Sequence, residues 1–181
     1  AGRYDDAIAR FQAVARSGGE GGGDPESYEN EVRYFVGLVH VEAGRSDEAL
    51  AELEQVPQSS PRFVDARTAM ARIWERRKDW PRTQAELRRA IAATPDNLTL
   101  QVYLAGVTQR SGDLPGAVAI METLIQANPD KPDLYYDLGV IHGEAGDRDR
   151  SLELMHKVLE LDPDNASALN YIGYTWAEQG E

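Results

Sequence analysis

Small residues and prolines recur along this chain at a fixed period of 34. Gly37, Ala71, Ala105, Gly139 and Gly173 form one such column, and Pro61, Pro95, Pro129 and Pro163 form another. Residues 132–165 show what the period encodes. Tyr135, Leu138, Gly139 and His142 precede Gly146, and Ser151, Leu152, Met155 and Val158 follow it. Spacings of three and four put such residues on one face of a helix, so two amphipathic helices flank Gly146. A glycine there supplies the positive φ that stops the first helix, and Pro163 prevents the second from continuing. The unit is therefore a helix–turn–helix hairpin. Its turn column reads Gly44, Lys78, Gly112, Gly146 and Gly180, and the small residue of its second helix reads Ala49, Thr83, Ala117 and Ser151. Stacked hairpins bury a continuous seam between neighbours and have no single central core.

These columns resemble the tetratricopeptide repeat, with its W-x2-L-G-x2-Y, A-x3-F and P pattern. The resemblance covers nearly the whole chain and implies an all-α fold, a right-handed α-solenoid of stacked antiparallel helix hairpins. Complete repeats are expected at 30–63, 64–97, 98–131 and 132–165. Residues 1–17 fit a lone second helix, because Gly2, Ala7, Phe11 and Val14 occupy the columns of Gly146, Ser151, Met155 and Val158. Residues 166–181 fit a lone first helix with Leu169, Ile172, Gly173 and Trp176 on its inner stripe and Gly180 at its turn. The whole is expected to be one solenoid fragment of ten helices, without a capping helix at its end.

Two stretches depart from the pattern. Ala7 and Ala49 are 42 residues apart, eight more than the period, which places an insertion at 18–29. Its glycines leave the backbone unrestrained and predict a mobile loop. It lacks the Gly-Lys-Ser/Thr of a phosphate-binding loop, and Glu20 and Asp24 would repel an anion. In repeat 64–97, Lys78 stands where the other turns have glycine, which predicts a tighter or differently closed turn.

Composition narrows the chemistry. Without cysteine the chain has no disulfide or thiolate metal site. No apolar run reaches the ~18 residues of a membrane span. The net charge of −12 argues against nucleic acid as a partner. Charge is unevenly spread, however. Residues 62–131 carry 11 basic and 8 acidic side chains, against 5 and 12 in 1–61 and 3 and 11 in 132–181. His40 and His142 share a repeat column three periods apart and lack the neighbours of a metal site or a catalytic base, so they read as core residues. Asp162-Pro163-Asp164-Asn165 lacks the glycine and closing glutamate of a calcium loop. No nucleophile–base or metal constellation appears, and no cofactor is expected.

The resemblance also implies a concave binding face, lined by columns 2, 5, 9, 12 and 13 of each first helix. Carried over, these columns single out Tyr34, Leu38, Arg72, Arg76, Val102, Gln109, Arg110, Tyr136, Val140 and Tyr174. The lysine–asparagine clamp that some members use for chaperone tails is absent, since column 5 reads Tyr34, Thr68, Val102, Tyr136 and Asn170. The asparagine ladder of sugar-transferase members is absent too, since column 6 reads Phe35, Ala69, Tyr103, Asp137 and Tyr171. The reading is a non-catalytic scaffold that holds a peptide segment or partner protein, with an acidic and aromatic segment suited to the arginines at 72, 76 and 110. The alternatives are a homo-oligomer built through exposed solenoid ends and a regulatory arm of a larger enzyme. The 168–174 run is similar to those of bacterial multi-repeat proteins, some of them envelope-associated; the compartment, cytoplasmic or envelope, stays open.

Overall fold

The structure is a computed structural model that describes residues 2–16 and 25–179. Among the described residues there are ten α-helices and no strand. They are α1 (Gly2–Arg16), α2 (Pro25–Glu42), α3 (Ser46–Glu54), α4 (Phe63–Arg76), α5 (Trp80–Ala93), α6 (Leu98–Arg110), α7 (Leu114–Ala127), α8 (Pro132–Glu144), α9 (Arg148–Leu161) and α10 (Ala166–Gln179). The chain forms two compact units, residues 1–100 and 101–181, and the boundary falls inside α6. Most of the insertion expected to be mobile, 18–24, lies outside the described residues, as does Gly180. The rest of that insertion belongs to α2, which starts at Pro25 with Glu26 in its first turn, where a carboxylate favours the helix dipole.

In the first unit α1 packs on α2, α2 on α3, α3 on α4 and α4 on α5. Phe11 stacks on Phe35 with ring centroids 5.7 Å apart, which fixes α1 against α2. The small-residue column lets paired helices approach closely: a Cβ on Gly37 would lie 2.7 Å from Leu53 Cγ. Ala49, Leu50, Leu53, Val56, Ala66, Met70 and Ile73 form a buried cluster at the next seam. Val56 is not helical, contrary to its place in the repeat pattern. α3 ends at Glu54, and Val56 is buried from the following turn, its N–H donating to the Leu53 carbonyl at 3.2 Å. Pro57 disfavours α conformation at the residue before it and so shortens α3.

Beside this cluster Arg67 is buried inside the first unit. Its guanidinium reaches Glu54 at 2.8 Å, Glu86 at 3.4 Å and the carbonyls of Leu53 and Glu54 at 2.9 and 3.0 Å. It also lies over the Phe63 ring, 5.1 Å from the centroid. Burial pushes the Glu86 carboxyl above its ordinary range, and Arg67 and Arg89 partly oppose that effect.

In the second unit α8 pairs with α9, and α7 and α10 pack against α8 and α9 respectively. Gly139 faces Met155 and Ser151, where a side chain would collide with the Met155 methyl. Met155, Val158, Ala168 and Ile172 form the buried seam between α9 and α10. Ile172 is thus core, while Leu169 and Trp176 of the same expected stripe are exposed.

All four turns close alike. The backbone N–H of Gly44, Lys78, Gly112 and Gly146 donates to the carbonyl three residues back, and that of the next residue donates to the carbonyl five residues back. Lys78 adopts φ +56° to do so, so its turn is neither tighter nor differently closed. The packing of α4 on α5 outweighs the steric cost of an L side chain in the left-handed region. Asp79, Asp113 and Asp147 then cap the following helices by accepting from backbone N–H groups of Arg82, Gly116 and Arg150. Arg45 occupies that position in the first turn, makes no cap and pairs with Asp5 of α1 at 2.5 Å.

Candidate functional site

Within the second unit, α6, α7 and α8 enclose a groove of about 480 Å3. Its wall on α6 comes from Val102, Gly106, Gln109 and Arg110, which spacings of four, three and one bring to one side of the helix. Tyr136, Asp137, Val140 and Ile141 of α8 form the opposite wall, and Met121 of α7 reaches the floor. Gly106 creates the space, because any side chain there would project into it. Arg110 folds back over the gap, its Nη1 3.1 Å from where a Cβ on Gly106 would stand. Gln109 Nε2 donates to Glu144 Oε2 at 2.5 Å and ties the C-terminal ends of α6 and α8 together.

Asp137 is the polar group that this lining leaves unsatisfied. It is half-buried, and no hydrogen bond or ion pair reaches its carboxylate among the described residues. Its carboxyl is held above the ordinary range, first by burial and then by the negative charge of Asp133 one turn away. An unpaired charge in a partly desolvated site is costly, and a cation placed against it would relieve that cost.

The structure brings five of the expected residues to this groove: Val102, Gln109, Arg110, Tyr136 and Val140. The other five stand elsewhere. In the first unit Tyr34 is engaged, its ring 5.3 Å from that of Phe35 and 5.5 Å from the Arg62 guanidinium. Burial and Asp65 raise its hydroxyl above the ordinary value, and Arg62 and Arg72 act the other way. Leu38 lines a separate groove of about 360 Å3 with Tyr4, Phe11 and Phe35. Arg72 and Arg76 are exposed on α4. Tyr174 is 77% exposed on α10 beside Leu169 and Trp176, which are also exposed.

Asp137 is absent from the sequence-derived set because its column is considered there only for an asparagine ladder. The available signal is an acidic residue in a column otherwise filled by Phe35, Ala69, Tyr103 and Tyr171. The two histidines expected in the core are only partly buried, and His142 meets the capping Asp147 through Nδ1 at 3.2 Å. His40, whose backbone carbonyl accepts from Arg45 in the turn that lacks the capping aspartate, has a buried Nδ1 without a partner. Among the described residues no cluster of three or more His, Asp or Glu is arranged to hold a metal ion, and no helix is long and apolar enough to cross a membrane.

Comparison with known proteins agrees with this architecture. No curated protein matches the sequence. Among solved structures, the chain is similar to YrrB, described as a tetratricopeptide repeat protein with an unusual peptide-binding site. The TM-score is 0.66 at 17% identity, over 95% of this chain and 84% of that one. It is also similar to MamA, with a TM-score of 0.66 at 21% identity over 91% and 92% of the two chains. MamA from Desulfovibrio magneticus RS-1 aligns with a TM-score of 0.63 at 16% identity, over 84% and 86%. At these identities the likeness is one of fold. One family model for the tetratricopeptide repeat matches residues 1–62 and 37–97, and a second matches 109–170. With the helix hairpins, the turn column and these matches in agreement, the chain belongs to the tetratricopeptide repeat family.

Proposed function

We propose that this protein is a non-catalytic interaction scaffold that holds an extended peptide segment of a partner protein. The groove between α6 and α8 carries this reading. Its volume of about 480 Å3 falls in the range of pockets that enclose a few side chains. Val102, Gly106, Val140 and Ile141 give it an apolar lining, while Gln109, Arg110, Tyr136 and Asp137 offer polar groups around it. Such a mixture fixes a peptide by burying its side chains and orienting its backbone. The described peptide-binding site of YrrB is in keeping with this use of the fold.

The test is selection of peptides from a random phage-displayed library on the intact chain, followed by titration against Gly106→Phe. The phenylalanine would project into the groove, and the atoms nearest its Cβ belong to the end of the Arg110 side chain. Selected peptides should lose affinity by about tenfold or more while circular dichroism stays helical. Failure to select any peptide, or equal binding to the filled groove, overturns the reading.

A second reading rests on α10. Leu169, Tyr174 and Trp176 are all exposed there, around a shallow groove that includes Leu169 and Tyr174. Apolar surface of this kind suits association of one copy with another. Sedimentation velocity across a concentration series tests it: a shift toward dimer that Tyr174→Glu abolishes supports the reading, and a constant monomer ends it.

A further inference from the structure

We propose that the groove between α6 and α8 selects a peptide carrying a lysine or arginine, whose cationic head pairs with the Asp137 carboxylate. The proposal rests on the groove being the peptide site and adds the chemistry of its occupant. Asp137 lines the groove, is half-buried and has neither a hydrogen-bond nor an ion-pair partner among the described residues. Other shielded carboxylates have partners: Glu31 is met by Arg62, and Asp79 accepts from the backbone of Arg82. Glu86, the most buried, is met by Arg67 and Arg89. An incoming cation would give Asp137 the partner that the fold withholds.

Three further observations favour a basic occupant over an acidic one. The second unit carries 5 basic and 14 acidic side chains over residues 101–181, so its field attracts cations and repels carboxylates. Asp133, one turn before Asp137 on the same helix, adds negative charge. Arg110 also lines the groove, yet its guanidinium lies over Gly106 and does not appear among the charges acting on the Asp137 carboxyl. The apolar lining suits the stem of a long basic side chain. A lysine or arginine would lay its methylenes along Val102 and Val140 and keep its head at the polar edge. An aspartate or glutamate would have to approach Asp137 with like charge.

The experiment uses the peptides selected on the intact chain, resynthesised with a fluorophore. Their basic position is replaced in turn by norleucine and glutamate. Each peptide is titrated against wild type, Asp137→Asn and the groove-filling Gly106→Phe. The expected result is a basic residue at one position of the selected set. Norleucine there should weaken binding about tenfold and glutamate more, and Asp137→Asn should erase the difference between lysine and norleucine, as loss of one charge-assisted hydrogen bond requires. If Gly106→Phe abolishes binding but Asp137→Asn leaves the lysine preference intact, or the selected peptides are acidic, the groove stands and the proposal falls. If Gly106→Phe has no effect, or no peptide is selected, both fall.

Discussion

The Tyr171 hydroxyl lies 2.8 Å from Ser151 Oγ, which in turn donates to the Gly139 carbonyl at 2.7 Å. Ser151 has a single proton, committed to the carbonyl, so the tyrosine is the donor to the serine. One relay thus joins α10, α9 and α8. The tyrosine fits because Gly143 has no side chain, since a Cβ there would overlap the Tyr171 hydroxyl. Tyr171→Phe should cost about 1 kcal/mol, the net value of one hydrogen bond. Ser151→Ala should cost more, because it strands the tyrosine hydroxyl. The double variant should lose less than the sum, and urea denaturation of the four proteins in a mutant cycle measures the difference.

Lys78 is the non-glycine residue with positive φ among the described residues. Lys78→Gly removes the steric cost of that conformation without disturbing the turn's hydrogen bonds. Thermal unfolding should show stabilisation of about 1 kcal/mol. Gly112→Ala or Gly146→Ala should move in the opposite direction by a similar amount.

Helical glycines in this protein divide by what surrounds them. Gly106 has only the end of Arg110 near it, so Gly106→Ala should stabilise by about 0.5–1 kcal/mol through helix propensity. Gly37 is pressed against Leu53 Cγ and Cδ2, at 2.7 and 2.8 Å from an added Cβ. Gly37→Ala should therefore destabilise by about 1–3 kcal/mol, the usual cost of overpacking. Chemical denaturation of the two variants should move the midpoint in opposite directions.

The Arg67 side chain is 3% exposed, and that of its partner Glu86 is 10% exposed. Removing the guanidinium leaves the buried Glu86 carboxylate to Arg89 alone and strands the carbonyls of Leu53, Glu54 and Val56. Arg67→Ala should lower stability by about 3–5 kcal/mol at neutral pH. Arg67→Ala/Glu86→Leu should recover much of that loss, which calorimetry would show.

Asp137 gives stability a pH dependence of known sign. Its folded carboxyl is raised above the ordinary value of about 3.9, chiefly by burial. The folded state therefore holds that proton more firmly than the unfolded state does, and this residue's contribution worsens as pH rises through its folded value. Arg110, Tyr103 and Tyr136 share the groove, and Asp133 adds like charge from the same helix. Asp137→Asn should be more stable than wild type at neutral pH, and the gap should shrink as pH falls toward the acid range. Urea titrations between neutral pH and the acid range measure it. A variant that gains stability while losing basic peptides would show that the charge serves binding.

The hairpins and their turns were legible in the sequence because each depends on local chemistry. Gly44, Gly112 and Gly146 end helices by backbone freedom, and the small-residue columns declare which faces meet. A fixed period repeats these signals until chance is a poor explanation. Residues 102, 109, 110, 136 and 140 were singled out through the resemblance to the repeat family, whose columns implied a shared face. Tertiary structure decided the rest. Lys78 adopts the glycine conformation because packing of its hairpin outweighs a local preference. Tyr34 turns to Arg62, a partner 28 positions along the chain. Asp137 is left without a partner between two helices, a condition set by every neighbour at once. Periodicity states where a side chain points, and only three-dimensional packing states what it meets there.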